Sequence, residues 1–317
     1  MMMDSEMEAP AKTGIQHTVE SYLLMGTVVS IRVVGRGQVT DMHSAIKRAF
    51  EAMRFVEETC SRFTESSALR ELCRHSGQPV QVPDVLFETI RVALEISALT
   101  DGVFDPTVGS ALEAHGFNRH YLTGDAVNSQ VECAEPVSYR DITLDEKERT
   151  VLLHKPMLID LGAVAKGLAV DLAARELVGW DGFAIDAGGD LYLQGMDFTG
   201  EPWRVGIQHP LHKDAMMCWL QITDAAICTS GSYERRSPVA SEVHHLINPK
   251  TGESTRGLLS CTVVAPLAIL ADAVSTAAFV LGPKHALEFV SALDLEAICI
   301  SDALDMTMTD LMERYLR

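Results

Sequence analysis

The sequence is short of positive charge: it sets 26 lysines and arginines against 44 acidic residues, a net charge of −18. That balance excludes a basic footprint for nucleic acid or for an anionic membrane surface. It has no G-x-x-x-x-G-K-[ST] loop, no G-x-G-x-x-G after the first strand, no H-E-x-x-H and no G-x-S-x-G. A nucleotide held here is therefore held by another architecture. The seven cysteines are scattered, odd in number and without a C-x-x-C, which fits reduced thiols in a cytoplasm rather than a disulfide framework. The opening MMMDSEMEAPAKTG carries acids where a secretory signal would carry a basic and then an apolar stretch. A disordered tail over 1–16 and a cytoplasmic protein are expected. No repeat or low-complexity linker interrupts the remainder, so 17–317 is expected to form one compact unit.

What the chain has instead is an ordinary globular composition, 47% hydrophobic and 22% charged, arranged around one stretch, GLLSCTVVAPLAILADAVSTAAFVLG (257–282). Pro266 divides it into a β-rich half and a helical half that is apolar nearly all round, the mark of a helix buried on several sides. The helical half is too short, and too interrupted by Pro266 and Asp272, for a membrane span. Asp272 is the sole charge in the stretch, and a buried carboxylate needs a cation or donors. Thr276 follows four residues on, on the same helix face. Two hard oxygens at that spacing form a half-site for Mg²⁺, completed by waters, a carbonyl and phosphate; the alternative is that Asp272 caps a backbone or pairs with an arginine.

Along the chain, 17–24 and 27–34 read as strands around Met25-Gly26. A helix is expected over 41–55 with Asp41 as N-cap, a short one ending near Cys73, and another over 84–99 opened by Pro83-Asp84. Residues 101–117 are irregular, as binding loops often are, and 118–150 show little periodicity. A strand over 157–161 leads into a helix from about Ala163 to Leu177. Strands are expected at 183–193 (two, around Gly188-Gly189), 203–208 and 218–227. A loop follows at 229–236, then a short strand and turn at 244–252. Helices over 284–293 and 310–317 and a strand over 296–301 finish the chain. Strands outnumber helices without strict alternation, so the fold class is α+β with largely antiparallel sheets packed by helices.

Lys166 lies where a strand end feeds a helix N-terminus, a setting that favours phosphate; the plainer reading is a surface lysine with its stem laid on apolar neighbours. Asp171 reads as solvent-facing or helix-pairing. Thr229, in T-S-G (229–231), offers a hydroxyl to phosphate or carbonyl groups, or belongs to an ordinary turn. Asp105, before Pro106, is either a ligand-binding residue or an Asx-turn. His245, before a short apolar strand and the N-P-K-T-G turn, is the histidine placed for chemistry, the plainer reading being a structural histidine; His244 is expected to face the opposite side.

Taken in order, M-G-T (25–27), S-R-F-T-E-S-S (61–67), D-G-V-F-D-P-T-V-G (101–109), D-L-G-A-V-A-K-G-L-A-V-D (160–171), D-A-G-G-D (186–190), T-S-G-S-Y-E-R (229–235), H-L-I-N-P-K-T-G (245–252) and A-D-A-V-S-T-A-A-F-V-L-G (271–282) resemble the motifs of the ApbE family of FAD:protein FMN transferases. The resemblance covers roughly residues 20–285. It implies an enzyme that uses Mg²⁺ and FAD, transfers the FMN half of FAD onto a Ser or Thr hydroxyl of an acceptor flavoprotein and releases AMP. It places Asp272, Thr276 and the Ala163 carbonyl on metal-ligand positions. Met25, Phe63, Val103, Phe104, Asp105, Asp160, Lys166 and Leu246 fall on FAD-contacting positions, with Thr229 beside them. His245 is assigned the hydroxyl proton, since a neutral imidazole suits that task near pH 7. Two other readings use the same residues: an FAD-binding carrier or sensor, and an FAD pyrophosphatase giving FMN and AMP. The chain departs from the family pattern at Ala68 and Asn248, where acids are usual, at Ser232 in T-S-G-S, and at Leu168 after Lys166-Gly167.

Overall fold

The computed structural model describes residues 2–3, 14–131 and 135–317. In chain order the elements are β1 (Met2–Met3), β2 (Gln16–Leu24), β3 (Thr27–Gly35), α1 (Val39–Cys60), α2 (Ala68–Arg74), β4 (Pro79–Gln81), α3 (Asp84–Leu99) and α4 (Gly109–Ala114). They continue with β5 (Ile142–Asp145), β6 (Thr150–Leu153), α5 (Ala165–Arg175), β7 (Gly182–Ala187), β8 (Leu191–Gly195), β9 (Trp203–His209), β10 (His212–Ile222) and β11 (Ala225–Gly231). Last come β12 (Leu258–Ala265), α6 (Ala268–Leu281), α7 (Ala286–Ala292), β13 (Glu296–Ser301) and β14 (Met306–Met308). Most of the tail expected over 1–16 lies outside the described residues; Met2–Met3 pairs antiparallel with β9, and β2 begins at Gln16.

The centre is an eight-stranded sheet in the order β14-β13-β12-β11-β8-β7-β3-β2, every neighbour antiparallel. Both faces of its middle strands are buried, which is why those strands read as unbroken apolar runs. Alternation sorts their side chains. Phe183, Ile185, Ala226, Cys228, Cys261 and Val263 face the helical layer of α1, α3, α5 and α6. Ala184, Ile227, Val264, Ile298 and Ile300 face a second core with Trp203, Val205 and Leu220 of the β9–β10 hairpin. The arrangement is α+β and largely antiparallel, as expected. Among the described residues no helix is long and apolar enough to cross a membrane.

Several boundaries differ from expectation, each for a local reason. Helix α1 starts at Val39 with Gln38 as N-cap, so Asp41 sits in the first turn rather than at the cap. The apolar run 157–161 forms no strand; Met157, Leu158 and Ile159 are fully buried, and the Asp160 N–H donates to the Pro106 carbonyl at 2.8 Å instead of to a ladder. The span 218–227 is two strands, broken where Asp224 takes φ 52°. Residues 229–231 complete β11 rather than forming a loop, and 244–252 holds only single bridges. Strand β5 lies inside the stretch that lacked periodicity and β6 begins at its last residue, and the C-terminal helix is a 3₁₀ turn over Asp310–Tyr315.

Candidate active site

Helices α5 and α6 are clamped to each other by two carboxylates acting in opposite directions. Asp171 of α5 accepts the first two free amides of α6, Ala268 N at 2.7 Å on Oδ1 and Ile269 N at 2.9 Å on Oδ2. A helix N-terminus has amides without internal partners, and a carboxylate is their best acceptor. Asp272 of α6 in turn accepts the Gly167 N–H of α5 on Oδ2 at 3.0 Å. Asp171 is thus buried and helix-pairing, not solvent-facing. The helices approach closely because residue 167 is glycine: a Cβ there would stand 2.6 Å from the Ala268 carbonyl carbon and from Ile269 Cα.

The clamp has a consequence for oxygen atoms. Gly167 lies in the first turn of α5, where amides have no partner within the helix, and Asp272 caps its N–H; the Ala163 carbonyl, just before the helix, accepts from no backbone N–H of the described residues. Asp272 Oδ1 accepts no hydrogen bond from the described residues. One helical turn on, Thr276 Oγ1 lies 2.8 Å from Ser230 Oγ of β11, and Ser230 also meets Ser275 Oγ at 3.0 Å. A carboxylate oxygen, a hydroxyl and a carbonyl are hard donors of the kind Mg²⁺ takes. Among the described residues no three His, Cys, Asp or Glu side chains gather as a metal site, so a cation held here would draw its remaining ligands from water and from its anionic partner.

Burial, then the nearby Asp190 carboxylate, push Asp272 up to about 7. Lys166 lies between these two acids, its Nζ paired with Asp190 Oδ2. Burial acts to lower the ammonium, but Asp190 and then Asp272 override it and hold Lys166 above its ordinary value. Asp190 comes from the β7–β8 turn and also accepts the Thr229 N–H at 3.3 Å. The last acid of the D-A-G-G-D motif, beyond the Gly188-Gly189 turn between two strands, is the buried partner of Lys166.

A second group of residues sits on the loops. Arg62 donates to Asp160 Oδ2 and to the Phe117 carbonyl, and its guanidinium lies 4.2 Å above the Phe63 ring. Burial works to raise Asp160, but the Arg62 charge and the Gly162 N–H (2.9 Å) prevail and hold it below the usual carboxylate range. The Phe117 ring stands edge-on to His245 at 6.4 Å. His245 is half-buried; its backbone N–H donates to the Arg235 carbonyl at 3.3 Å, and its Nδ1 faces the same oxygen at 3.4 Å. Burial, then Arg235, push the imidazole down to about 3, so it is neutral at pH 7. With Nδ1–H directed at a carbonyl, Nε2 is left as the basic atom. His244 does face away, its Nε2 on the Thr255 carbonyl at 2.8 Å and its Nδ1 accepting Leu246 N.

The other predicted residues are distributed less evenly. Met25 is half-buried at φ 54°, its N–H donating to Glu57 Oε1 at 2.8 Å. Phe104 and Leu246 belong to the buried core, and Val103 is half-buried. Asp105 uses Oδ1 on the Thr107 amide and hydroxyl (2.9 and 2.8 Å) and Oδ2 on Tyr139 N (2.9 Å), the Asx-turn reading. The Thr229 hydroxyl pairs with Thr262 of β12 at 2.8 Å, and alternation gives the face toward α6 to Ser230 instead. Asn248 keeps the turn an Asp would make, Oδ1 accepting Lys250 N at 2.9 Å. Sequence reasoning passed over Asp190, Ser230, Arg62 and Arg235, although each lies inside a quoted motif.

Comparison with known proteins gives the family. The model of the ApbE family matches residues 25–299. The FAD:protein FMN transferase of Escherichia coli (strain K12) is 31% identical over 295 residues, spanning 89% of this chain and 83% of its own. That of Klebsiella pneumoniae (strain 342) is 29% identical over the same shares. The crystal structure of the ApbE protein from Thermotoga maritima superposes with a TM-score of 0.84 at 28% identity, covering 95% of this chain and all of the other. With a family match across most of its length and this structural agreement, the chain belongs to the ApbE family.

Proposed function

We propose that the protein is a Mg²⁺-dependent FAD:protein FMN transferase, working in the cytoplasm as a single unit over residues 17–317, that moves the FMN half of FAD onto a Ser or Thr hydroxyl of an acceptor flavoprotein. The observation that carries the reading is the Asp272 cap on the Gly167 N–H, which joins the α5 N-terminus following Ala163 to the α6 turns that carry Asp272 and Thr276, beside the half-buried Lys166. The Ala163 carbonyl, Asp272 Oδ1 and the Thr276 hydroxyl would hold the magnesium ion, which when bound supplies charge neutralisation for a pyrophosphate.

In the reaction the acceptor hydroxyl oxygen bonds to the FMN-side phosphorus, the bond from that phosphorus to the bridging oxygen breaks, and AMP leaves with that oxygen. His245 Nε2 takes the hydroxyl proton. The imidazole is neutral and ready, and the Arg235 carbonyl holds its orientation. Phe63, Val103 and Met25, half-buried at the loops, supply apolar surface for the flavin and adenine rings. The half-buried Lys166 and the buried Asp190 form a neutral pair, so Lys166 acts by orienting Asp272 and its surroundings more than as a free cation.

The test is FAD binding to metal-stripped protein, followed by quenching of flavin fluorescence with and without Mg²⁺, for wild type and Asp272→Ala. Binding should strengthen with Mg²⁺, and the variant should lose that gain by more than the roughly 10–100-fold typical of disturbing a ligand's support. Binding indifferent to both changes would overturn the metal–pyrophosphate site. AMP release without covalent flavin on any acceptor would identify a pyrophosphatase instead.

A further inference from the structure

The charged side chains gathered around the α5 N-terminus, Asp272 and the 62–160 contact are, with one exception, already committed. Lys166 is paired with Asp190, Arg62 with Asp160 and the Phe117 carbonyl, and Asp272 Oδ2 with the Gly167 N–H. The exception is Arg235. Its guanidinium makes no hydrogen bond or ion pair with another described residue. Its charge nevertheless reaches Asp160, Lys166, Asp272 and His245.

Its place is well defined. The Arg235 carbonyl engages both the backbone N–H and Nδ1 of His245, while its Nη2 lies 3.9 Å from where a Cβ on Gly26 would stand. Gly26 turns at φ 77° and brings no side chain, so the β2–β3 turn leaves space between the exposed Arg235 guanidinium and the Tyr121 ring, which comes equally near. A free planar fork of N–H donors over a cluster of otherwise satisfied charges suits a tetrahedral oxyanion bound at two points. Lys166, the cation the motif suggested for phosphate, has its charge taken by Asp190.

We propose that the Arg235 guanidinium binds a phosphate oxygen of the flavin dinucleotide and thereby places the scissile pyrophosphate beside His245. This rests on the flavin-transfer reading above. The same residue orients the base through its carbonyl and anchors the substrate through its side chain. An anion on the guanidinium also removes the repulsion Arg235 exerts on a protonated imidazole, so the base gains strength once substrate is in place.

Because the Arg235 side chain has no hydrogen-bond or ion-pair partner among the described residues to lose, its variants should fold. FAD titration in Mg²⁺, with thermal melting alongside, is compared for wild type, Arg235→Gln and Arg235→Lys. The expected result is an unchanged melt, FAD affinity weakened roughly 10–100-fold in Arg235→Gln, and an intermediate value in Arg235→Lys. Arg235→Gln binding FAD as wild type does would overturn the inference and leave the transferase reading standing. A lowered melt together with weaker binding would also overturn it, by making Arg235 a structural residue. Wild type failing to bind FAD would remove the flavin reading itself, and this inference with it.

Discussion

Replacing Asp171 with Asn tests whether a carboxylate on α5 places the α6 N-terminus, and with it Asp272 one turn in. Both oxygens of Asp171 are engaged, with Ala268 N and Ile269 N, and hydrogen bonds to a charged group contribute about 1.5–3 kcal/mol each. Burial opposes them: it pushes the carboxyl from 3.8 up to about 6, disfavouring the charged form by ~3 kcal/mol. Asparagine keeps one acceptor and turns an NH₂ toward the other amide, leaving one buried N–H unpaired at about 1–3 kcal/mol. Near neutral pH the loss and the relief of charge burial are of similar size, so the pH dependence is the discriminating quantity. A raised carboxyl means that the folded chain holds the proton more tightly than the unfolded one. The stability Asp171 contributes is therefore complete below its unfolded value and is lost as pH rises through about 6. Between pH 5 and 7.5 the wild type should lose ~1.4 kcal/mol relative to Asp171→Asn. Urea denaturation at both pH values, followed by fluorescence of the three tryptophans, measures the difference. A flat difference refutes the reasoning. So does a wild type that gains on the variant as pH rises, the behaviour of an end-cap whose amides outweigh its burial.

Asp190→Asn should leave the half-buried Lys166 without its ion-pair partner and lower stability by about 3 kcal/mol in denaturant titration; Lys166→Met in the same background should recover most of that loss, and no recovery would mean that the pair is not what is being disrupted. Gly167→Ala puts a Cβ 2.6 Å from α6 backbone atoms, so it should destabilise by about 1–3 kcal/mol and weaken Mg²⁺-dependent FAD binding, although alanine is the better helix former; a more stable Gly167→Ala would show that the helices separate freely. His245→Ala should leave FAD binding intact and slow flavin transfer by roughly 10²–10⁴-fold. Because the free imidazole is already neutral, pushed down to about 3, the wild-type rate should show no His245 limb between about pH 5 and 8 at subsaturating FAD.

How far the sequence could be read follows from the range of the signal. Strands β2 and β3, helix α3 and the β12–α6 unit were legible because their periodicity and end signals are local: Met25-Gly26, Pro83-Asp84 and Pro266 each punctuate a short window. The apolar run at 157–161 misled because a buried segment can satisfy its backbone off-ladder, through Pro106, with no change in composition. The 218–227 run misled because nothing apolar or polar marks Asp224 at φ 52°. Thr229 and Ser230 show the finest limit. A one-residue difference in strand phase decides which hydroxyl reaches α6, and both are hydroxyls.

By itself, the sequence determined that the chain is an acidic globular protein with one buried carboxylate helix, and its ordered motifs named a family and picked out Asp272, Thr276, Lys166 and His245. Tertiary structure alone decided what those side chains do. Asp171 and Asp272 clamp two helices about a hundred residues apart in the chain, at separations of 97, 98 and 105. Lys166 is neutralised by an acid from a distant turn, and the Arg235 guanidinium, beside His245, has no hydrogen-bond or ion-pair partner among the described residues. The reason is physical: secondary structure is set by neighbours a few residues away, whereas the state of a buried charge is set by whichever groups the fold brings within a few ångströms, and the cost of leaving that charge unpaired is invisible until they are in place.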